Sequence, residues 1–421
     1  MKKINNDNLV ILVSVEFKTI NNKYNQNTSL AELYNLVESA GYQVVGELSQ
    51  SRSTPDPSLF IGAGKVEELK QLAKNFKVCT VIFDHDLSPI QQKNLEEKLE
   101  LTVIDRTELI LKIFSQRAHT KEGKLQVELA RLNYLLPRLI GKGKQMSRLG
   151  GGIGTRGPGE KQLEVDRRTI KNRIADLNKE IEAIKKHRTI QRNRRKKILV
   201  PVISLVGYTN AGKSTLLNTL TGSEVYVKNQ LFATLDPVSR KTKLPSGQEV
   251  IFTDTVGFIQ NLPTQLIAAF RATLEEIKEA DLLVHVVDVS NENYLEQVES
   301  VYKVLKQIGV EKSLFITALN KADLVPHYLI ERAKRQLPNS VPISAKKQVG
   351  LDELLLKIED CLSARSSKIE VMIPYNKIDL LHLFYNYGII EHLEYKNDGV
   401  FILGTLRNKE IGYLNKSLSN L

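Results

Sequence analysis

The sequence predicts a multidomain α/β protein whose larger sheets are mostly parallel. Its 421 residues are too many for one ordinary core and correspond to about three domains. Short apolar runs alternate with helical patterns over the first hundred residues, and this alternation is typical of a mostly parallel sheet. Apolar residues make up 42% and charged residues 26% of the chain. This balance excludes a disordered chain, a fibre and a small disulfide-stapled domain.

The net charge and the cysteines indicate which partners and which cellular compartment to expect. Lysine plus arginine number 60 against 48 acidic residues, which gives a net charge of +12. Such an excess favours a polyanionic partner, either nucleic acid or an anionic membrane surface. Cys79 and Cys361 lack metal-binding spacing and are expected to be small buried side chains in a reduced compartment. No apolar run reaches the ~18 residues of a membrane span, and Met1 to Asp7 lack signal-peptide features, so we expect a cytoplasmic protein. A monomer is expected separately, because these features do not set the oligomeric state.

Residues 1–124 are predicted to form the N-terminal α/β domain. A strand is expected from Leu9 to Val15, and Ser29 with Glu32 forms a predicted capping box for a helix that ends at Gly41. Further strands are predicted at 44–47, 78–83 and 103–105, and a helix follows Ser88. The turn from Gly62 to Lys65 precedes another helix. We interpret it as a structural turn, with a phosphate site as the alternative.

Residues 125–197 are predicted to form an antiparallel helical hairpin. The second helix, from Gln162 to about Ile190, has apolar residues at heptad spacing. The joining loop has six glycines between Gly150 and Gly159, and eight of the thirteen residues 185–197 are Lys or Arg. Glycine permits close approach and basic side chains favour phosphate, so we predict RNA contacts; a flexible linker and a solvated helix end are the alternatives. The predicted RNA-binding residues are Lys142, Lys144, Arg148, Arg156, Lys161, Arg192, Arg194 and Arg195.

A phosphate-binding motif opens the next domain, residues 198–365. The apolar run 198–206 is followed by G-x-x-x-x-G-K-S and then by a helical pattern, which is the context that this motif requires. Backbone N–H groups of the loop point at the phosphates, Lys213 supplies charge, and Ser214 offers a hydroxyl to Mg²⁺. The predicted nucleotide-binding residues here are Gly207, Tyr208, Thr209, Asn210, Ala211, Gly212, Lys213, Ser214 and Thr215.

Two further segments are predicted to face the γ-phosphate. Asp254 follows a strand and holds Mg²⁺ through water, while Gly257 places an N–H near the phosphate. Thr234 is the candidate that closes on Mg²⁺ and phosphate, with Thr242 as the alternative. Lys213, Thr234 and Gly257 are therefore the predicted catalytic residues. The remaining predicted nucleotide contacts of these segments are Phe232, Ala233, Leu235, Asp236, Thr255 and Val256.

A third sequence motif predicts which nucleotide base is bound. Asp323, in the sequence Asn320-Lys321-Ala322-Asp323, can accept hydrogen bonds from N1–H and N2–H₂ of guanine, whereas adenine has no donors on that edge. Ser344, Ala345 and Lys346 complete the predicted pocket. The residue after Gly257 is Phe258, which cannot orient the attacking water as glutamine does. We therefore expect slow intrinsic GTP hydrolysis.

The last domain, residues 366–421, is predicted to be a small α+β unit. Ile369, Val371 and Ile373 alternate as a strand, a helix is expected from Ile378 to Tyr387, and Asp398-Gly399 predicts a hairpin. The whole chain is thus an N-terminal α/β domain with a helical hairpin, a central P-loop G domain with a mostly parallel sheet, and this small domain.

The chain resembles the HflX family of ribosome-associated GTPases along nearly its whole length. The similar stretches are Val103–Ile110, Phe114–Ala118, Glu122–Leu129, Gly150–Glu160, Phe232–Pro237 and Asp254–Ile259. Lys161 departs from the family's usual Gly-Glu-Thr-Gln. The resemblance implies a factor that binds the large ribosomal subunit near the peptidyl-transferase centre, splits ribosomes under stress and hydrolyses GTP when stimulated by the ribosome. An ATP-dependent RNA helicase, or a non-catalytic anti-association factor with a structural nucleotide, is the alternative.

Overall fold

A computed structural model describes residues 8–17, 26–139, 158–196, 200–222, 232, 237–259, 277–310, 315–364 and 366–419. The chain divides into two compact units. The first comprises Met1–Glu182, Lys228–Asp236 and Gln260–Arg271, and the second comprises Ala183–Val227, Pro237–Ile259 and Ala272–Leu421. The four predicted domain ranges stay predictions.

The first unit contains a four-stranded, fully parallel sheet in the order β2-β1-β3-β4. Its strands are β1 (Leu9–Phe17), β2 (Gln43–Arg52), β3 (Thr80–Phe83) and β4 (Thr102–Ile104). Val10 to Val13 and all four residues of β3 are buried. Burial on both faces explains why these strands are continuous apolar runs, and the predicted parallel sheet is confirmed.

Helices accompany these strands. They are α1 (Gln26–Ser39), α2 (Ala63–Phe76), α3 (Pro89–Leu99), α4 (Arg106–Arg117) and α5 (Lys121–Arg138). Ser88 caps α3 in a capping box with Gln91, as expected for Ser88-Pro89. The box predicted at Ser29 is wrong, because α1 begins three residues earlier. Residues three apart are neighbours on every turn of a helix, so the Ser-x-x-Glu spacing alone does not identify the first turn.

α4 and α5 begin before the helical region that we predicted from Leu125. Asp105 caps α4 through the Glu108 N–H, and Thr120 caps α5 through the Gly123 N–H. Arg138, at the end of α5, donates to Asp105 Oδ2 at 2.9 Å. Burial raises the pKa of Asp105 to about 6. This ion pair fixes the last turn of α5 just before the glycine-rich loop in the sequence.

The second hairpin helix, α6 (Pro158–Lys196), has 39 residues and extends beyond both predicted ends. Among its described side chains, 164–186, Leu177 alone is fully buried, while Ile170, Ile174, Ile181 and Ile184 of the heptad seam are partly covered. Arg173 bonds both carboxylate oxygens of Glu128 at 2.8 and 3.0 Å and so joins α6 to α5.

The second unit is built on a six-stranded sheet in the order β10-β9-β8-β5-β7-β6. All pairings are parallel except β6 with β7. Its strands are β5 (Val202–Gly207), β6 (Val238–Lys243), β7 (Glu249–Asp254), β8 (Leu282–Asp288), β9 (Phe315–Asn320) and β10 (Ser340–Pro342). Its helices are α7 (Lys213–Thr221), α8 (Tyr294–Gln307), α9 (His327–Gln336) and α10 (Leu351–Ser363). The mostly parallel sheet agrees with the prediction.

The C-terminal part has an antiparallel sheet in the order β11-β13-β12. Its elements are β11 (Ser366–Pro374), α11 (Leu381–Tyr387), β12 (Gly388–Lys396), β13 (Gly399–Arg407) and α12 (Asn408–Ser419). The Asp398-Gly399 hairpin is confirmed. The helix predicted from Ile378 is α-helical only from Leu381, because the residues from Tyr375 to Leu380 form a 3₁₀ turn.

The exposure of the two cysteines differs from the composition-based expectation. The expectation that both cysteines are buried is wrong, because Cys79 is exposed and Cys361 is partly exposed. Cys79 immediately precedes β3 rather than lying within it, so its side chain is outside the buried strand. Across the described part of the chain, no helix has both the length and the apolar content needed to cross a membrane.

Candidate nucleotide-binding site

The phosphate-binding motif lies between β5 and α7, as its sequence context predicts. Gly212 has φ 98° and caps α7, and a β-carbon there would lie 2.2 Å from Asn320 Nδ2, so only glycine fits. Lys213 is the first residue of α7, and its Nζ donates to the carbonyls of Gly207 and Tyr208 at 3.0 and 2.7 Å. The N-terminal N–H groups of α7 and this ammonium group together favour an anion.

Lys213 is a buried cation. Desolvation lowers the pKa of its ammonium group to about 8, against the opposing attraction of the Asp254 carboxylate. Burial removes the water that would otherwise solvate the Lys213 ammonium group. Phosphate oxygens of a bound nucleotide would replace that water as hydrogen-bond acceptors and would stabilise the positive charge.

Asp254 ends β7 and is fully buried. The Ser214 hydroxyl donates to its Oδ2 at 2.6 Å, so the two predicted metal-associated side chains lie together. A hydroxyl and a carboxylate are oxygen ligands of the kind that Mg²⁺ prefers, and these residues therefore fit the ion. The Thr255 hydroxyl donates to the Leu205 carbonyl at 2.7 Å, and the predicted nucleotide contact by Thr255 stays a prediction.

The segment after Asp254 pairs with the phosphate loop. The Phe258 N–H donates to the Gly207 carbonyl at 3.1 Å, and the Thr209 N–H donates to the Phe258 carbonyl at 2.7 Å. Val256, Phe258 and Ile259 are buried. This bridge places Gly257 directly against the phosphate loop.

Asn320 joins the phosphate loop to the base pocket. Its Nδ2 donates to the Ala211 carbonyl at 2.8 Å, and its Oδ1 accepts from the Ala345 N–H at 3.0 Å. These two bonds brace the phosphate loop against the segment that contains Ser344 and Ala345.

Asp323 and its neighbours form the predicted guanine pocket. The Ser344 hydroxyl and Lys347, whose Nζ is 3.3 Å from Asp323 Oδ2, lower the pKa of the Asp323 carboxyl and keep it an acceptor. Lys321 adopts φ 62°, and its Nζ lies 2.5 Å from Asp288 Oδ2. Ala322 donates its N–H to the Ile343 carbonyl at 3.1 Å, whereas Lys346 is exposed.

Sequence reasoning missed Asp288 and Lys347. Asp288 ends β8 and pairs in register with Asn320 of the neighbouring strand. An acidic residue at the carboxyl end of an apolar strand was the available signal, because ligand sites in parallel sheets lie at that edge.

The segment Phe232–Asp236 contains Thr234, the predicted switch threonine that closes on Mg²⁺ and phosphate. Within this segment the structure describes only Phe232. Its side chain is 2% exposed and packs edge-on against Phe114 of α4, with ring centroids 4.6 Å apart. The predicted nucleotide contact by Phe232 stays a prediction, and Ala233, Thr234, Leu235 and Asp236 lie outside the described residues. The alternative switch threonine, Thr242, lies in β6 and donates its hydroxyl to the Leu220 carbonyl at 3.1 Å.

The other predicted sites are described in part. Lys142, Lys144, Arg148 and Arg156 lie outside the described residues, and only the helical backbone of Lys161, Arg192, Arg194 and Arg195 is described. In the N-terminal turn, Lys65 pairs with Glu68 at 2.8 Å and the Gly62 N–H donates to Gln50 Oε1 at 2.9 Å. These contacts account for that turn without a ligand.

The bonds that tie the phosphate loop, the Asp254 segment and the guanine pocket together on a mostly parallel sheet define a P-loop GTPase. Four family models match the chain: GTP-binding GTPase N-terminal (27–115), GTP-binding GTPase Middle Region (117–195), 50S ribosome-binding GTPase (202–321) and HflX C-terminal domain (328–420). The chain belongs to the HflX family of GTPases, and it hydrolyses GTP to GDP and phosphate.

Individual relatives span most of the chain. GTPase HflX of Caldanaerobacter subterraneus subsp. tengcongensis is 51% identical over 83% of this chain and 80% of its own length. GTPase HflX of Escherichia coli strain K12 is 43% identical over 88% and 87%. A crystal structure of a GTP-binding protein from Sulfolobus solfataricus in complex with GDP is similar at 28% identity, over 84% of this chain and 99% of that chain, with a TM-score of 0.44.

Proposed function

We propose that this GTPase binds the large ribosomal subunit, is stimulated by it, and splits or recycles ribosomes under stress. The observation that carries the proposal is the match of residues 202–321 to a family model described as 50S ribosome-binding GTPase. The net charge of +12 supports an RNA partner. So does the segment 185–197, which includes the C-terminal end of α6 and in which eight of thirteen residues are Lys or Arg. A ribosomal partner would place the protein, which we expect to be a monomer, in the cytoplasm.

Mg²⁺ accompanies the nucleotide in this proposal. Ser214 and Thr234 would hold the ion directly, and Asp254 would hold it through water. When bound, the ion neutralises charge on the β- and γ-phosphates. The carboxylate of Asp323, with the backbone N–H groups of Ser344, Ala345 and Lys346, would select guanine.

The first experiment measures GTP turnover alone and with large ribosomal subunits. We expect strong stimulation that is weakened by salt and lost in Lys213→Ala. Equal turnover with and without subunits would remove the ribosome as activator. Splitting of intact ribosomes is then followed by light scattering with GTP, a non-hydrolysable analogue and GDP.

The same assays separate the two alternatives. An RNA helicase that uses a second nucleotide site would keep ATP turnover in Lys213→Ala. A factor that only blocks subunit joining would split or exclude subunits equally well with GDP. The contacts that occupy Gly62 and Lys65 favour neither a second nucleotide nor a helicase.

A further inference from the structure

Hydrolysis needs a group that orients the attacking water, and the usual position for it is not available in this chain. Phe258 follows Gly257, and its ring has no polar atom and is 2% exposed. The backbone of Phe258 is held by the two hydrogen bonds to Gly207 and Thr209. The side chain is therefore committed to the core of the second unit, and another residue must face the water.

Two residues, Thr209 and Lys213, lie beside Gly257. A β-carbon placed on this glycine would lie 2.8 Å from Thr209 Cγ2, 3.0 Å from Thr209 Cα and 3.3 Å from Lys213 Nζ. Gly257 and Lys213 carry the two motif positions that contact the γ-phosphate in P-loop GTPases. Thr209 is thus next to the place where the terminal phosphate of GTP is expected.

The Thr209 hydroxyl is buried and has no partner. The residue is 6% exposed, and within the described part of the chain its Oγ1 makes no hydrogen bond. A hydroxyl can donate one hydrogen bond and accept two, and buried polar groups are nearly always satisfied. An unsatisfied hydroxyl in a phosphate loop points to a ligand that completes its bonding.

We propose that Thr209 is a catalytic residue whose hydroxyl contacts the γ-phosphate end of GTP and orients the attacking water. Oγ1 accepts a hydrogen bond from the water and donates one to a γ-phosphate oxygen. The water oxygen bonds to Pγ, the bond from Pγ to the β,γ-bridging oxygen breaks, and its electron pair leaves with GDP. The water protons end on the released phosphate and the surrounding solvent, and the threonine is unchanged. This inference rests on GTP hydrolysis and is independent of the ribosome.

The test compares Thr209→Val with Thr209→Ser. Valine keeps the branched shape but removes the hydroxyl, whereas serine keeps the hydroxyl and loses a methyl group. Without ribosomal subunits, we expect kcat of Thr209→Val to fall about 100- to 1,000-fold, the range found when one transition-state hydrogen-bond donor is removed. Its Kd for GDP should stay within about threefold of the wild type, because the lost bonds involve only the γ-phosphate and the water. Thr209→Ser should retain kcat within about threefold by the same reasoning.

Three results would overturn the proposal. One is turnover by Thr209→Val at the wild-type rate. Another is a parallel loss of hydrolysis and GDP affinity, which would assign Thr209 a structural role in the loop. The third is a serine variant as slow as the valine variant. Subunit stimulation is measured separately, so failure here and failure of the ribosomal proposal are distinguishable.

Discussion

Lys213 holds its charge inside the second unit, and its titration should therefore control nucleotide affinity. Burial lowers the pKa of the free ammonium group to about 8. Phosphate favours the charged form, so binding above that pH requires uptake of a proton. We expect GDP affinity to be constant below pH 8 and to fall as pH rises above it, by up to about tenfold per pH unit.

The measurement is the Kd of a fluorescent GDP analogue between pH 7 and pH 9. Lys213→Met is the control, because it has a similar stem and no charge. The variant should bind more weakly, and its pH profile reports the nucleotide's own titration. A wild-type profile parallel to that of the variant would contradict the prediction.

We expect Asp323 to determine the base through the hydrogen bonds that its carboxylate accepts. Asparagine at this position presents one donor and one acceptor, which suits the carbonyl at C2 of xanthine and not the amino group of guanine. We expect Asp323→Asn to lose affinity for GTP by about 100-fold or more and to gain hydrolysis of xanthosine triphosphate. Lys347→Gln is the matched control, since Lys347 touches the carboxylate at 3.3 Å. It should weaken binding without changing the preferred base.

Burial of His285 in β8 should make the stability of the protein depend on pH in the acid range. Its ring is fully buried against Tyr302, with centroids 5.4 Å apart, and burial with nearby Lys213 lowers its pKa to about 3. The unfolded chain binds this proton near pH 6.5, whereas the folded chain binds it only near 3. The free energy of unfolding should therefore fall as pH drops below 6.5, by up to about 1.4 kcal/mol per unit.

Urea unfolding of the second unit at pH 7, 6 and 5 tests this. His285→Leu should flatten the slope between pH 6.5 and pH 5, and His327→Gln, at an exposed position of α9, serves as the control. An unchanged slope in His285→Leu would show that other groups carry the acid dependence.

Elements with strong local signals were predictable from the sequence, and elements fixed by packing were not. Ser88-Pro89 and Asp398-Gly399 specify a helix start and a hairpin through their own backbone preferences. The start of α1 has no comparable signal, because Ser29 and Glu32 satisfy a capping pattern from within the helix. The 3₁₀ turn from Tyr375 to Leu380 likewise shares its apolar spacing with α11.

At the scale of the whole molecule, the basic end of α6 should control RNA affinity. Replacing Arg192, Arg194 and Arg195 together with glutamine removes three positive charges. We expect weaker binding to large subunits and a plot of log affinity against log salt that is less steep by about 2 to 3. The matched control replaces three exposed lysines, Lys303, Lys306 and Lys416, with glutamine. Equal losses in both triple variants would indicate a general charge effect.

For the molecule as a whole, the motifs of the nucleotide-binding site could be predicted from the sequence, but the contacts between them could not. The three contiguous boxes predict phosphate and guanine binding, because each specifies its own loop chemistry. Contacts between residues of different segments, such as Asp288 with Lys321 or Phe258 with Thr209, depend on strand order and register. These contacts could not be predicted from the sequence and required the three-dimensional structure.

Asn320 touches both ends of the nucleotide site, and this has a consequence for ligands that carry only half of GTP. Guanosine would fill the pocket at Ala345, and pyrophosphate would fill the loop at Ala211. Because both loops bond to one amide, ordering either loop lowers the entropic cost of ordering the other. The two fragments should therefore bind cooperatively, each raising the affinity of the other. In Asn320→Ala this mutual effect should vanish, and titrating one fragment in the presence of the other measures it.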